Sequence, residues 1–180
     1  INDLISKAKV NKEDIEDVIV GCAFPEGEQG FNIGKVVTFM CDFPKSVAGM
    51  TVNRWCGSSM QSIHNAAGSI AMGSGKVFVC AGVESMTRVP MLGFNPMPHP
   101  KLLEENPNVY LSMGITAENV AKKYNIDRKE QQDFAISSHE KAFIAQGNGN
   151  FEEEITAINN GNNNVSMDGG IRPGTSQEIL

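Results

Sequence analysis

The sequence predicts an α/β fold: a parallel-rich sheet with a buried helix against it and a loop-rich segment to follow. Three observations carry this. Short apolar runs recur with helical stretches between them, the strand–helix–strand–helix–strand order that right-handed crossovers turn into a parallel sheet. One of those helices is built largely from small residues. Composition then changes beyond Arg88, where Pro90, Pro96, Pro98, Pro100 and Pro107, together with Gly93, mark residues 89–108 as loop-rich. The chain divides accordingly into 1–88, an α/β segment, and 89–180, a loop-rich segment that reads as an insertion over the sheet edge.

The elements follow in order. Residues 2–9 read as the end of a helix, with Leu4, Ile5 and Ala8 on one face. Residues 17–22 (DVIVGC) form a buried strand, and 25–30 (PEGEQG) a loop holding Gly27 and Gly30. Residues 32–40 are helical, with Val36, Val37 and Met40 apolar. A strand over 47–53 leads to a helix over 58–72, which lacks proline and carries Met60, Ile63, Ala67, Ile70 and Ala71 at helical spacing. The rest of that helix is small: Ser58, Ser59, Ser62, Ala66, Gly68 and Ser69. Gly68 lowers helix propensity, and close approach of other backbones on several sides would explain it, so the helix is expected to be central and buried. A strand over 76–82 completes the pattern. Further on, helices are expected over about 116–124 and from Asp127, whose capping box would use Glu130, to a C-terminal stop near Gly147. Residues 147–150 and 159–164 read as turns or loops.

Bulk properties exclude several classes. Fifteen basic against twenty-one acidic residues give a net charge of −6, and no Lys/Arg block is present, which argues against a nucleic-acid surface. No apolar run approaches the ~20 residues of a membrane span. The four cysteines, Cys22, Cys41, Cys56 and Cys80, form no Cys-x-x-Cys pair and have no histidine at ligand spacing, so no zinc site is expected. Cys22 and Cys80 lie in apolar strands and read as core thiols; Cys41, beside Asp42 and Pro44, reads as a loop or helix-end thiol. Free thiols fit a reducing compartment, and a cytoplasmic location is expected, with an organellar matrix as the alternative.

Cys56 stands apart from the other three. It lies in VNRWCGSSM (52–60), where an apolar strand stops and the small-residue helix begins. A thiol at that junction faces a helix N-terminus, whose free N–H groups favour a thiolate or an adjacent oxyanion. In parallel sheets reactive loops gather at the carboxyl ends of strands, which places Cys56 and the Glu84-Ser85-Met86 segment on one edge. The helix dipole contributes only ~0.3–1 kcal/mol against ~1.4 kcal/mol per pKa unit, so a nucleophilic Cys56 needs a base. His64 lies two helical turns on, roughly 12 Å along the axis, beyond hydrogen-bond reach, and reads as a structural histidine.

Five stretches, taken in order, carry a resemblance to the thiolase family. They are PEGEQG (25–30), NRWCGSS (53–59), AGVESM (81–86), MGITAENVA (113–121) and IRPGT (171–175). The details are most similar to the degradative 3-ketoacyl-CoA thiolases, and Ser112 stands where biosynthetic thiolases usually carry histidine. The resemblance implies a thiolase-like layered fold of which this chain is an internal piece of the N-terminal half. It further implies that the remaining half carries an Asn-Glu motif, a Gly-His-Pro histidine and a second cysteine in a Cys-x-Gly motif; neither Asn-Glu nor Gly-His-Pro occurs here.

The implied reaction is retro-Claisen thiolysis of a 3-ketoacyl-CoA by CoA through an acyl-cysteine. Cys56 is the implied nucleophile, with its backbone N–H as an oxyanion donor. Met113 would border the acyl pocket and Arg172 the CoA nucleotide. Glu84 has no chemical task in that scheme and reads as a structural or subunit-interface carboxylate. No cofactor is expected, since CoA enters as co-substrate, and the full subunit is expected to self-associate as a dimer or tetramer. The alternatives are a biosynthetic, acetoacetyl-CoA-forming thiolase; a ketoacyl synthase, which the 113–121 stretch disfavours; and a non-catalytic thiolase-like binder of CoA or lipid. The 180-residue chain alone is expected to be inactive.

Overall fold

The computed structural model describes residues 1–180. The chain forms two units, Ile1–Met97 and Pro98–Leu180.

In the first unit, helix α1 (Asn2–Ala8) and a 3-10 turn over Lys12–Asp14 precede strand β1 (Asp17–Gly21). Helix α2 (Ile33–Met40), strand β2 (Ala48–Val52), helix α3 (Ser58–Ala71) and strand β3 (Phe78–Gly82) follow. The three strands are parallel in the order β2-β1-β3. β1 is central and reads VIVG over four buried positions, the continuous apolar run of a strand covered on both faces. The core gathers Ile5, Ile15, Val18, Val20, Phe43, Val47 and Val79.

One polar group at the edge of this core is left unpaired. Asp17 Oδ1 is buried with no hydrogen-bond partner. Burial raises the Asp17 carboxyl above its ordinary 3.8, while the Val18 amide and the charge of Lys35 pull the other way. A carboxyl whose folded pKa is raised contributes stability that is full below the unfolded value and is lost as pH rises through the folded value. Asp17→Asn is therefore expected to raise the melting temperature at pH 7. The gain should shrink as the pH falls toward 3.8 and below. Paired melts across that range test it, and a gain that does not depend on pH would refute desolvation as its cause.

α3 differs from expectation. Its small side chains do meet the sheet: Ser58, Ser62 and Ala66 are buried. The larger apolar residues do not, because Met60, Ile63 and Ile70 are 61%, 58% and 49% exposed. The helix is thus covered on one face only, and no atom lies within 4 Å of where a Cβ on Gly68 would stand. The close approach inferred from its composition occurs at the strand ends instead. A Cβ on Gly21 would collide with the backbone of Ser58 and Ser59, and one on Gly82 with the Ser59 side chain.

Residues 89–97 pack with the first unit. Val89 is 1% exposed, and the Phe94 N–H donates to Glu26 Oε2 at 2.7 Å. In the second unit, helix α4 (Pro100–Glu105) and a 3-10 turn over Pro107–Tyr110 break up the proline-rich stretch, with proline in the first turn of each, where its missing N–H is not needed. Helix α5 (Met113–Tyr124) starts earlier than the spacing predicts because Ser112 caps it, its Oγ accepting from the Ile115 N–H at 3.4 Å. Helix α6 (Arg128–Gly147) carries the predicted Asp127–Glu130 capping box. It ends at Gly147, where the stop was expected, but Gly147 is itself still helical and the left-handed glycine is Gly149, at φ 73°. The Asn-rich stretch folds into a short hairpin of strands β4 (Ile158–Asn159) and β5 (Asn164–Val165). Asn159 and Asn160 accept from N–H groups of Gly161, Asn162 and Asn163 to close its turn. No helix is long and apolar enough to cross a membrane.

Candidate active site

Gly21, Val52 and Gly82, the last residues of β1, β2 and β3, stand in register. The loops leaving them therefore start side by side on the carboxyl edge of the sheet. Two backbone bonds extend the alignment past the strands: Cys22 N–H donates to Val52 O and Val83 N–H to Gly21 O, each at 3.0 Å.

The Cys56 turn is built from its neighbours' polar groups. The Asn53 amide works in both directions, donating from Nδ2 to Ala23 O at 2.9 Å and accepting from the Trp55 N–H at 2.9 Å. Trp55 adopts the left-handed conformation at φ 48°, a state that costs a non-glycine residue roughly 1 kcal/mol. Ser58 spans the turn, its Oγ accepting from the Arg54 N–H at 2.9 Å and donating to Trp55 O at 2.6 Å. The Trp55 ring packs edge-on against Phe24, with centroids 5.3 Å apart. Cys56 sits at the end of this turn, two residues before α3, as an exposed free thiol. The thiol is thus open to solvent at a helix start, on the carboxyl edge of a parallel sheet.

The other thiols are placed differently. Cys22 is buried, and its thiol is pushed up by that burial and then by the negative charge of Glu84, whose Oε1 lies 3.8 Å from Sγ. Cys80 is pushed up by burial, with Sγ 3.5 Å from Ser62 O. Both shifts favour the thiol over the thiolate. His64 is exposed on α3, so it is not part of the core.

Sequence reasoning read Glu84 as a structural or subunit-interface carboxylate, and it does hold structure, but the acidic and amide cluster it joins was missed. Glu84 accepts from the Ala23 N–H at 2.8 Å, the Phe24 N–H at 3.3 Å and Gln29 Nε2 at 2.6 Å. Gln29 is 2% exposed; its Nε2 also donates to Phe24 O at 2.7 Å, and its Oε1 accepts from the Ser85 N–H at 2.6 Å. Glu28 accepts from Ser85 Oγ at 2.8 Å and pairs with Arg88 at 2.6 Å. The PEGEQG stretch is thus a set of acceptors and donors that ties the loop after β3 to the loop after β1. The available signal was three acidic or amide side chains within four residues of the loop between β1 and α2.

In the second unit, Met113 opens α5 and is 69% exposed. Arg172 lies in a tail that follows α6. Its N–H donates to His139 Nδ1 at 3.2 Å, and its carbonyl accepts from Thr175 Oγ1 at 2.7 Å. Three further bonds fasten that tail along α6, from Arg128 to Leu180 O, Gln177 to Asp133, and Gln146 to Asp168 O.

Comparison with known proteins agrees with this geometry. The chain matches the family described as "Thiolase, N-terminal domain" over residues 1–180. It is 37% identical to a 3-ketoacyl-CoA thiolase of Bacillus subtilis over 193 aligned residues, covering 100% of this chain and 49% of the relative. It is 40% identical to a 3-ketoacyl-CoA thiolase of Colwellia psychrerythraea, covering 98% and 47%, and 41% identical to one of Idiomarina loihiensis, covering 96% and 46%. The chain spans about half the length of these curated relatives. A parallel sheet with an exposed cysteine at the start of a small-residue helix, and a family match along its whole length, establish that this chain belongs to the thiolase family as an N-terminal domain.

Proposed function

We propose that the protein is an acetyl-CoA acyltransferase that cleaves 3-ketoacyl-CoA with free CoA, in the degradative direction of fatty-acid β-oxidation. The observation that carries the reading is Cys56, an exposed free thiol at the start of α3 on the carboxyl edge of the sheet. Its thiolate attacks the 3-keto carbon of the substrate. The C2–C3 bond breaks, its electron pair passes to the acetyl-CoA enolate, and a proton completes acetyl-CoA. The acyl group stays on Cys56 as a thioester until the thiol of CoA displaces it. The backbone N–H of Cys56 is the proposed oxyanion donor.

Two groups must serve this chemistry besides the nucleophile: a base for Cys56 and an acid for the enolate. His64, on the body of α3, is too far along the helix to serve. Both groups are assigned to parts of the full-length protein outside residues 1–180. Met113 borders the acyl chain and Arg172 the CoA nucleotide in this reading. The loop carrying Arg172 is held against α6, which is what a binding segment requires. CoA acts as co-substrate with no further cofactor, and the working form is a dimer or tetramer in a reducing compartment such as the cytoplasm.

The test is covalent. Full-length protein mixed with acetoacetyl-CoA and quenched in acid should carry one acyl group, mapped to the peptide holding Cys56. Cys22 and Cys80 should resist iodoacetamide until the protein unfolds. Label on Cys41, Cys22 or Cys80 instead would overturn the assignment.

A further inference from the structure

We propose that Glu84 is a positioning residue for the Cys56 turn, acting through the Ala23–Phe24 backbone. The inference rests on the reading of Cys56 as the acyl nucleophile. The route is short and made of direct contacts. The Glu84 carboxylate holds the consecutive N–H groups of Ala23 and Phe24, and Gln29 holds the Phe24 carbonyl from the other side. The segment so clamped touches the Cys56 turn at two points. Ala23 O receives Asn53 Nδ2, and the Phe24 ring abuts Trp55.

The turn needs such support, because Trp55 sits in a conformation that a tryptophan does not favour. Residues held in this way stay so only where their surroundings over-determine them. Released from Phe24 and Ala23, the turn would relax and Cys56, the next residue, would lose its fixed direction. The chemistry of the side chain at position 84 matters too. Three N–H donors converge on it, from Ala23, Phe24 and Gln29. A carboxylate offers two acceptor oxygens and no donor. A glutamine offers one acceptor, and its NH2 would face another donor. Loss of charge alone therefore damages the clamp.

The experiment compares Glu84→Gln, Glu84→Ala and Glu26→Gln in the full-length protein. Glu26 is the control, since it ties a different loop through the Phe94 N–H. Two readouts are taken: hydrogen exchange in the peptide spanning 53–58, and the rate at which acetoacetyl-CoA acylates Cys56. Both Glu84 variants should speed exchange in that peptide about tenfold or more, the alanine more than the glutamine. Exchange in β1 should not change, which separates positioning from a general loss of stability. Acylation should slow on the order of 10–100-fold, since an ångström of misplacement costs about that much. Glu26→Gln should leave both readouts unchanged.

A folded Glu84→Ala protein with wild-type exchange and wild-type acylation overturns the inference. So does a Glu26→Gln effect equal to that of Glu84→Ala. Should Glu84→Ala fail to fold, Phe24→Leu decides. It keeps the backbone donors and removes the ring contact with Trp55, and unchanged exchange over 53–58 would overturn the route. If the acyl label in wild type falls on a residue other than Cys56, the functional reading fails, while the exchange measurement still decides whether Glu84 holds the turn.

Discussion

Cys56→Ser in the full-length protein is expected to leave the fold intact and to lower thiolysis by at least about 10⁴-fold, the scale seen when an enzyme loses its nucleophile. Serine is close to cysteine in size and fits the same turn. Within residues 1–180 Cys56 is exposed and packs into no core, so its replacement opens no cavity there. The melting temperature should therefore stay within a degree or two of wild type, as for surface changes. The loss is chemical. A hydroxyl is far less acidic than a thiol, which is about 8.5 when free, and an alkoxide is not accessible at neutral pH without much stronger activation. A ~10⁴-fold loss corresponds to about 5.5 kcal/mol of transition-state stabilisation. Steady-state rates with a ketoacyl-CoA and free CoA measure it, alongside a melt. Retained turnover within tenfold of wild type would remove Cys56 from the mechanism.

The layout of the first unit was legible in the sequence for physical reasons. β1 is buried on both faces, so its apolar run is unbroken and marks both its limits and its parallel neighbours. The capping box of α6 was legible because Asp127 and Glu130 satisfy local backbone donors and need no tertiary partner. What could not be read was set by contacts distant in sequence. Gln29 lies 55 residues from Glu84 and looks like any loop amide until the two loops meet. α3 shows the same limit from the other side. Its small residues signalled close packing, and close packing is found, but only at Ser58, Ser62 and Ala66. Composition counts small residues without saying which of them face the sheet. The place of Cys56 was legible because a strand end followed by a helix start is a local pattern that needs no distant contact.

Gly21→Val is expected to produce the largest loss of stability of any single change considered, about 3 kcal/mol or more. Gly21 ends β1 beneath the first turn of α3, and a Cβ there would run into the backbone of Ser58 and Ser59, with Ser58 O only 2.7 Å away. A clash with a flexible side chain can be relieved by a rotamer change, but here the obstacle is main chain. Relief requires α3 to lift from the sheet. That motion would uncover Ser58, Ser62 and Ala66, and it would carry Cys56 with it, because the cysteine lies two residues before the helix. Denaturant melts should show a lowered midpoint, and acylation of Cys56 should fall further than the unfolded fraction explains. Gly68→Ala supplies the contrast within the same helix. Nothing lies within 4 Å of the added methyl in this chain, so the change should stabilise the 180-residue chain by roughly 0.5–1 kcal/mol through helix propensity alone. Opposite signs at positions 21 and 68 would show that the helix is fixed at its N-terminal end by direct backbone contact. A Gly21→Val protein as stable as wild type would mean that α3 does not rest on β1 as described.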